Sequence, residues 1–176
     1  YSQQTTYRKL LVSPNSFRSR ITQMIREEAA RGSDGLITMK MNSLVDERLI
    51  EELYAASEAG CRVDLIVRGI CCLIPGVPGM SDNITVTSIV GRFLEHSRIF
   101  YFRNSGDEEI LIGSADLMQR NLNRRVELVF PVEDPKIKQR VRDIIQFMLD
   151  DNVKSRYLQE NGEYVRPEPG EVAFNV

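Results

Sequence analysis

The segment LITMKMNSLVDERLIEELYAASEAGCRVDLIVRG, Leu36 to Gly69, decides the fold. Leu36 to Met41 reads as a strand, and Asp46 can cap a helix that carries Leu49, Ile50, Leu53 and Ala56 on one face. Gly60 ends that helix just before the apolar run Val63-Asp64-Leu65-Ile66-Val67. A strand, helix, strand unit of this length favours parallel pairing, and with it an α/β sheet with helices on its faces. Arg68 then falls at the carboxyl end of a strand, where ligands of open α/β sheets collect. Gly69 beside it allows close backbone approach.

Working outward, Leu10 to Val12 reads as a short buried strand, and Ser13-Pro14 as a helix start with proline at the first position. Phe17, Ile21, Met24, Ile25 and Ala29 recur at helical spacing until Gly32 stops the pattern. On the other side, Pro75 to Gly79 has loop composition and Ile84 to Ile89 resumes a strand. Ile99 to Phe102 and Glu109 to Ile112 flank the hairpin turn Asn104-Ser105-Gly106-Asp107. Arg124 to Val132 predicts one more strand. Asp134 and Pro135 open a helix whose stripe is Ile137, Val141, Ile144, Ile145, Met148 and Leu149. After Tyr157, the polar stretch containing Arg166-Pro167-Glu168-Pro169-Gly170 is expected to be poorly ordered.

A chain of 176 residues with 42% hydrophobic content suffices for one domain with a real core. A net charge of −2, with charges of both signs interspersed, argues against a general binder of nucleic acid or anionic membranes, so any basic site is local. Cys61, Cys71 and Cys72 have neither zinc-ligand nor disulfide-framework spacing and read as reduced structural thiols of a cytosolic protein. There is no run of about eighteen apolar residues and no signal peptide. The chain opens on tyrosine and reads as a piece of a longer protein.

The single histidine, His96, stands two residues before Arg98, and a hairpin later comes Gly113-Ser114-Ala115-Asp116. Period two along a strand puts an imidazole and a cation on one face, while a Gly-Ser turn offers a hydroxyl and backbone N–H groups; these are parts of a phosphate site. Arg68 suits the same chemistry, because its planar fork donates two parallel hydrogen bonds and stays charged. The plainer readings are an arginine paired with a carboxylate at the core edge and a surface or capping histidine. Arg125 and Glu127 share a strand face, either as a salt bridge or with Arg125 directed to the His96 site and oriented by Glu127. Lys40 and Asn42 end another strand and are placed to line the same edge, with solvent exposure as the plainer reading for both.

KMNSLVD (40–46), DLIVRGICCLIPG (64–76), SDNITVTSIVGRFLEHSRIF (81–100), GSADLMQRNLNRRVE (113–127) and DPKIKQRVRDII (134–145) together resemble the last domain of bacterial polyphosphate kinase. The resemblance implies an α/β, phospholipase D-like fold with a mixed, mostly parallel sheet flanked by helices on both faces. It places one domain over residues 1–166 and a polar tail over 167–176. It implies a multidomain enzyme that reversibly moves the terminal phosphate of ATP onto polyphosphate, with two such domains facing each other across the site. The phosphorylated histidine and the arginines around magnesium belong to the first domain, which has no counterpart here. Carried over, Arg68 and His96 become ligands of the nucleotide phosphates, with His96 also a proton donor or acceptor. Arg98, Ser114 and Arg125 are further phosphate-site candidates.

The cofactors implied for the whole enzyme are ATP or ADP and Mg2+, with no metal ligand in this chain. The partners are polyphosphate, the enzyme's preceding domains and further copies of itself, with no nucleic acid and no transmembrane segment. The expected location is the cytoplasm, with peripheral membrane association of the parent enzyme left open, and the chain alone is expected to be inactive. The phospholipase D pattern is only partly kept: Arg98 replaces its lysine, Arg103 stands where an aspartate would be, and Asp116 replaces its asparagine. This fits a phosphate-clamping half better than a self-sufficient hydrolase. The alternatives are a dimeric phospholipase D-like phosphodiesterase or nuclease, and a non-catalytic interaction module.

Overall fold

A computed structural model describes residues 7–167 and 172–176. The strands are β1 (Leu11–Ser13), β2 (Leu36–Met41), β3 (Arg62–Val67), β4 (Ile84–Ile89), β5 (Arg98–Phe102), β6 (Glu109–Gly113), β7 (Glu127–Pro131), β8 (Ser155–Leu158) and β9 (Tyr164–Val165). The helices are α1 (Phe17–Ala29), α2 (Glu47–Glu58), α3 (Gln119–Asn123) and α4 (Pro135–Asp150). All nine strands form one sheet in the order β1-β7-β6-β5-β2-β3-β4-β8-β9.

The crossover from β2 through α2 to β3 is parallel, with Lys40 paired to Ile66 and Met41 to Val67, as the opening segment predicts. β3 and β4 are also parallel. The other six of the eight pairings are antiparallel, so the expected mixed sheet is present but the expectation that it is mostly parallel is corrected. A crossover fixes the sense of the strands it joins and no others; the consecutive hairpins β5-β6-β7 and the return of β8 onto β4 set the rest.

Alternation along the strands divides the interior in two. Ile37, Met39 and Met41 of β2, Val63, Leu65 and Val67 of β3 and Phe100 and Phe102 of β5 join the buried faces of α1 and α2 in the larger core. Phe17 of α1 meets Phe100 edge to face, with ring centroids 5.5 Å apart. On the other side, Ile99, Tyr101, Ile110 and Val132 pack with Val141 and Ile145 of α4 in a smaller core. Asp46 caps α2 by accepting from the Leu49 amide at 3.2 Å, and Asp134 caps α4 by accepting from the Lys136 and Ile137 amides.

Several boundaries depart from expectation. α1 begins at Phe17, past Ser13-Pro14, because the Ser16 hydroxyl and amide both bond back to Val12. Leu10 is exposed and β1 only half-buried, as an edge strand with a single neighbour must be. Residues 119–123 are helical and β7 starts only at Glu127. Ile137 and Ile144 of the α4 stripe stay exposed, since the helix seats by Val141, Ile145 and Met148. Beyond Tyr157 the chain completes a hairpin, β8-β9, on the sheet edge, and the Val176 amide donates to Asp151. Residues 168–171 of the expected tail lie outside the described residues.

Candidate functional site

Strand polarity gathers the candidates along one border. β2 and β3 run parallel and bring Lys40, Asn42 and Arg68 to their carboxyl ends. β5 runs against β2 and therefore starts at that border with Arg98; β6 runs against β5 and ends there at Gly113, paired to Arg98. The loops are stitched together: Leu44 donates to the Ile70 carbonyl, and the Val45 and Asp46 amides both reach the Leu117 carbonyl. A Cβ on Gly69 would stand 2.9 Å from the Asn42 carbonyl oxygen, so the close approach at Gly69 is to the neighbouring strand end. A Cβ on Gly113 would meet the Leu128 carbonyl at 2.3 Å, so the approach of β7 at this end of β6 requires glycine.

Arg68 lines a cavity of about 420 Å³. Ile66, Ile89 and Met148 give it an apolar floor, and Arg92 and Lys154 add positive charge to its wall. The Arg68 Nε donates to Asn42 Oδ1 at 3.0 Å, which orients the fork; no hydrogen bond among the described residues engages its two Nη groups. His96 lies on the exposed stretch between β4 and β5, whose Glu95 lines the cavity. The imidazole itself is not among the lining groups, so the structure places Arg68 in the cavity wall and does not join His96 to it.

The remaining candidates have partners inside the fold. Arg98 forms a two-pronged pair with Asp116, at 3.2 Å and 3.0 Å, and its Nη1 donates to the His96 carbonyl at 2.7 Å. Asp116 also accepts from the Asn42 amide at 2.7 Å. Arg98 is therefore an anchor of the His96 backbone and is not free to meet phosphate. The Ser114 hydroxyl donates to Glu127 at 2.5 Å and its amide donates to the Leu128 carbonyl, so the expected turn donors are already engaged. Glu127 also accepts from Asn121 at 2.6 Å. Glu127 thus neither pairs with Arg125 nor orients it among the described contacts, and Arg125 is exposed.

Lys40 and Asn42 are buried, correcting the expectation of solvent exposure. The Lys40 Nζ donates to the Ser97 carbonyl at 2.9 Å and lies 3.2 Å from Glu95 Oε1. Burial lowers the Lys40 pKa, opposed by Glu95 and reinforced by the nearby Arg68 and Arg98. Partial burial pushes the Glu95 carboxyl up, but bonds from the Ser97 hydroxyl and amide and from Lys40 outweigh it and hold the group at about 2. Alternation alone puts Lys40 on the face opposite Met39 and Met41; that α4 and the 91–97 loop cover this face has no local signal.

The family profile described as polyphosphate kinase C-terminal domain 2 matches residues 10–175. The chain belongs to this family. It is 56% identical over 172 residues to the polyphosphate kinase of Synechocystis sp., covering 96% of this chain and 24% of that protein. It is 53% identical over 167 residues to that of Prosthecochloris aestuarii, covering 93% and 23%. The polyphosphate kinase domain therefore spans about a quarter of the length of these relatives. The crystal structure of polyphosphate kinase from Porphyromonas gingivalis superposes with a TM-score of 0.94 at 41% identity, covering 99% of this chain and 27% of that one. Nuc from Salmonella typhimurium, a phospholipase D family member, superposes at 0.63 with 16% identity over 86% of this chain and 97% of its own, which shows the shared fold.

No group of three or more histidine, cysteine or acidic side chains placed to hold a metal occurs among the described residues. The carboxylates at this border do not fit a magnesium ion, which requires oxygen ligands open to it. Glu95 is held by Lys40 and Ser97, and Asp116 by Arg98 and Asn42.

Proposed function

We propose that this domain forms one wall of a polyphosphate kinase site, where Arg68 binds phosphate oxygens of ATP and polyphosphate opposite a phosphohistidine contributed by a preceding domain. The observation that carries the reading is the Arg68 fork: oriented from behind by Asn42, lining the cavity, with neither terminal nitrogen hydrogen-bonded among the described residues, so that both can donate to two oxygens of one phosphate group. Phosphoryl transfer asks a protein chiefly to position in-line groups and to offset charge on the transferring oxygens, which a fixed guanidinium does. His96, next to the lining residue Glu95, binds the same phosphates or serves as proton donor or acceptor during transfer. Magnesium, where the enzyme uses it, is held by residues outside this chain.

The phosphodiesterase alternative asks for a histidine and a partner cation free to act together. Here Arg98, at the cation's place in the motif, is bound into Asp116. In the full-length enzyme, Arg68→Ala is expected to lower kcat/KM for ATP by about 10²–10³, the scale of losing one preorganised donor. Unchanged kcat/KM would remove Arg68 from the site.

A further inference from the structure

The buried ammonium of Lys40 has an unusual set of partners for a group only 4% exposed. No hydrogen bond or ion pair among the described residues joins it to its own strand. Both of its polar contacts, the Ser97 carbonyl and Glu95 Oε1, belong to the residues on either side of His96. Glu95 turns back on the same stretch and accepts from the Ser97 amide at 2.9 Å and the Ser97 hydroxyl at 2.6 Å. Arg98 takes the His96 carbonyl itself, and Asp116 joins Arg98 to the amide of Asn42, two residues after Lys40. The backbone at 95–98 is thus tied down from two directions, while the imidazole makes no hydrogen bond among the described residues.

We propose that Lys40 is a positioning residue for His96: from the end of β2 it holds Glu95 and Ser97, and so fixes the backbone that carries the imidazole next to Glu95 of the cavity wall. The inference rests on the reading of His96 as a phosphate-site residue. A buried ammonium is costly to keep unless its hydrogen bonds are satisfied, and an apolar side chain would fill the same space at less cost. The charged groups nearest it are Glu95 from the loop, Arg68 just after β3 and Arg98 from β5, with Arg92 and Lys154 further along the wall of the same cavity, while α4 presents the apolar Met148 to it. Two like charges nearby make Glu95 the contact that keeps the lysine charged.

A double-mutant cycle in the full-length enzyme tests this, because residues that act through one another do not have additive effects. Lys40→Met is expected to lower kcat and kcat/KM for ATP together by about tenfold, the pattern of a lost transition-state interaction. In a His96→Gln background the same substitution is expected to change kcat/KM by less than about twofold. Equal factors in both backgrounds overturn the proposal, since they describe a lysine that supports the fold alone. If His96→Gln by itself leaves kcat/KM unchanged, the reading of His96 fails first and takes the proposal with it. Should Lys40→Met not fold, Glu95→Ala decides: a rate loss confined to the His96 background supports the proposal, and one independent of His96 overturns it. Glu95→Gln keeps an acceptor oxygen for Lys40 and Ser97 and is expected to restore at least about half the rate; no recovery also overturns it.

Discussion

The two faces of the sheet are built on different terms. The face under α1 and α2 is closed by large side chains with no exposure, among them Phe17, Ile21, Met39, Leu53 and Phe100. The face under α4 has a smaller apolar core, seats its helix by one edge of the stripe, and buries Thr38, Lys40 and Asp64 among its strand residues. Asp64 is held by Arg62 at 2.9 Å and Thr85 at 2.8 Å, and Lys40 by the 91–97 loop. Stability is concentrated where the cover is complete; the cavity and its cations lie where it is partial. A single helix across part of a sheet leaves room for a ligand, and two close-packed helices leave none.

The largest effect that divides the faces is expected at Phe100. Phe100→Ala removes a fully buried ring and is expected to cost about 3–5 kcal/mol by denaturant titration, while the folded fraction keeps its kcat/KM within about twofold. A loss of rate as large as the loss of stability would break the division. Asp116→Asn comes next. It leaves the Arg98 guanidinium buried with weakened pairing and is expected to cost about 3 kcal/mol, the low end for a broken buried pair, since Asn still accepts from the Asn42 amide. It is also expected to lower kcat/KM, because Arg98 holds the His96 carbonyl; stability loss without rate loss would make this pair purely structural.

The smallest effect is acidic. The Glu95 carboxyl sits at about 2 in the folded protein against an ordinary 4.5. The bonds that lower it favour the fold fully above about pH 4.5 and are lost as pH falls through about 2. Half of this side chain is exposed, so solvent screening keeps the effect small. The gap in melting temperature between wild type and Glu95→Gln is expected to be flat from neutrality to about pH 5 and to close below it. A gap that widens in acid would show that Glu95 is not held as described.

What the sequence made legible follows the range of the interaction concerned. The β2-α2-β3 unit, the Asp46 cap and the β5-β6 hairpin rest on neighbours within a few turns of chain, and each appears as expected. The expected predominance of parallel pairs fails because strand sense depends on which strands become neighbours. At the site, Arg68 follows from its place after an apolar strand. Ser114 and Arg98 carry the residue types of a phosphate site but are engaged by Glu127 and Asp116, partners 13 and 18 residues away. Lys40 is legible as a polar residue on the strand face opposite Met39 and Met41, and its burial is not, because the loop that covers it begins some fifty residues later.

The border that carries Lys40, Arg68, His96 and Asp116 is visited by the chain on four separate passes, and no stretch of backbone owns more than one of those groups. Such an assembly has no local nucleus: each piece acquires its neighbours only as distant strands zip together. The border should therefore take shape late in folding and come apart early in unfolding, so that a partly formed sheet holds its four groups out of register.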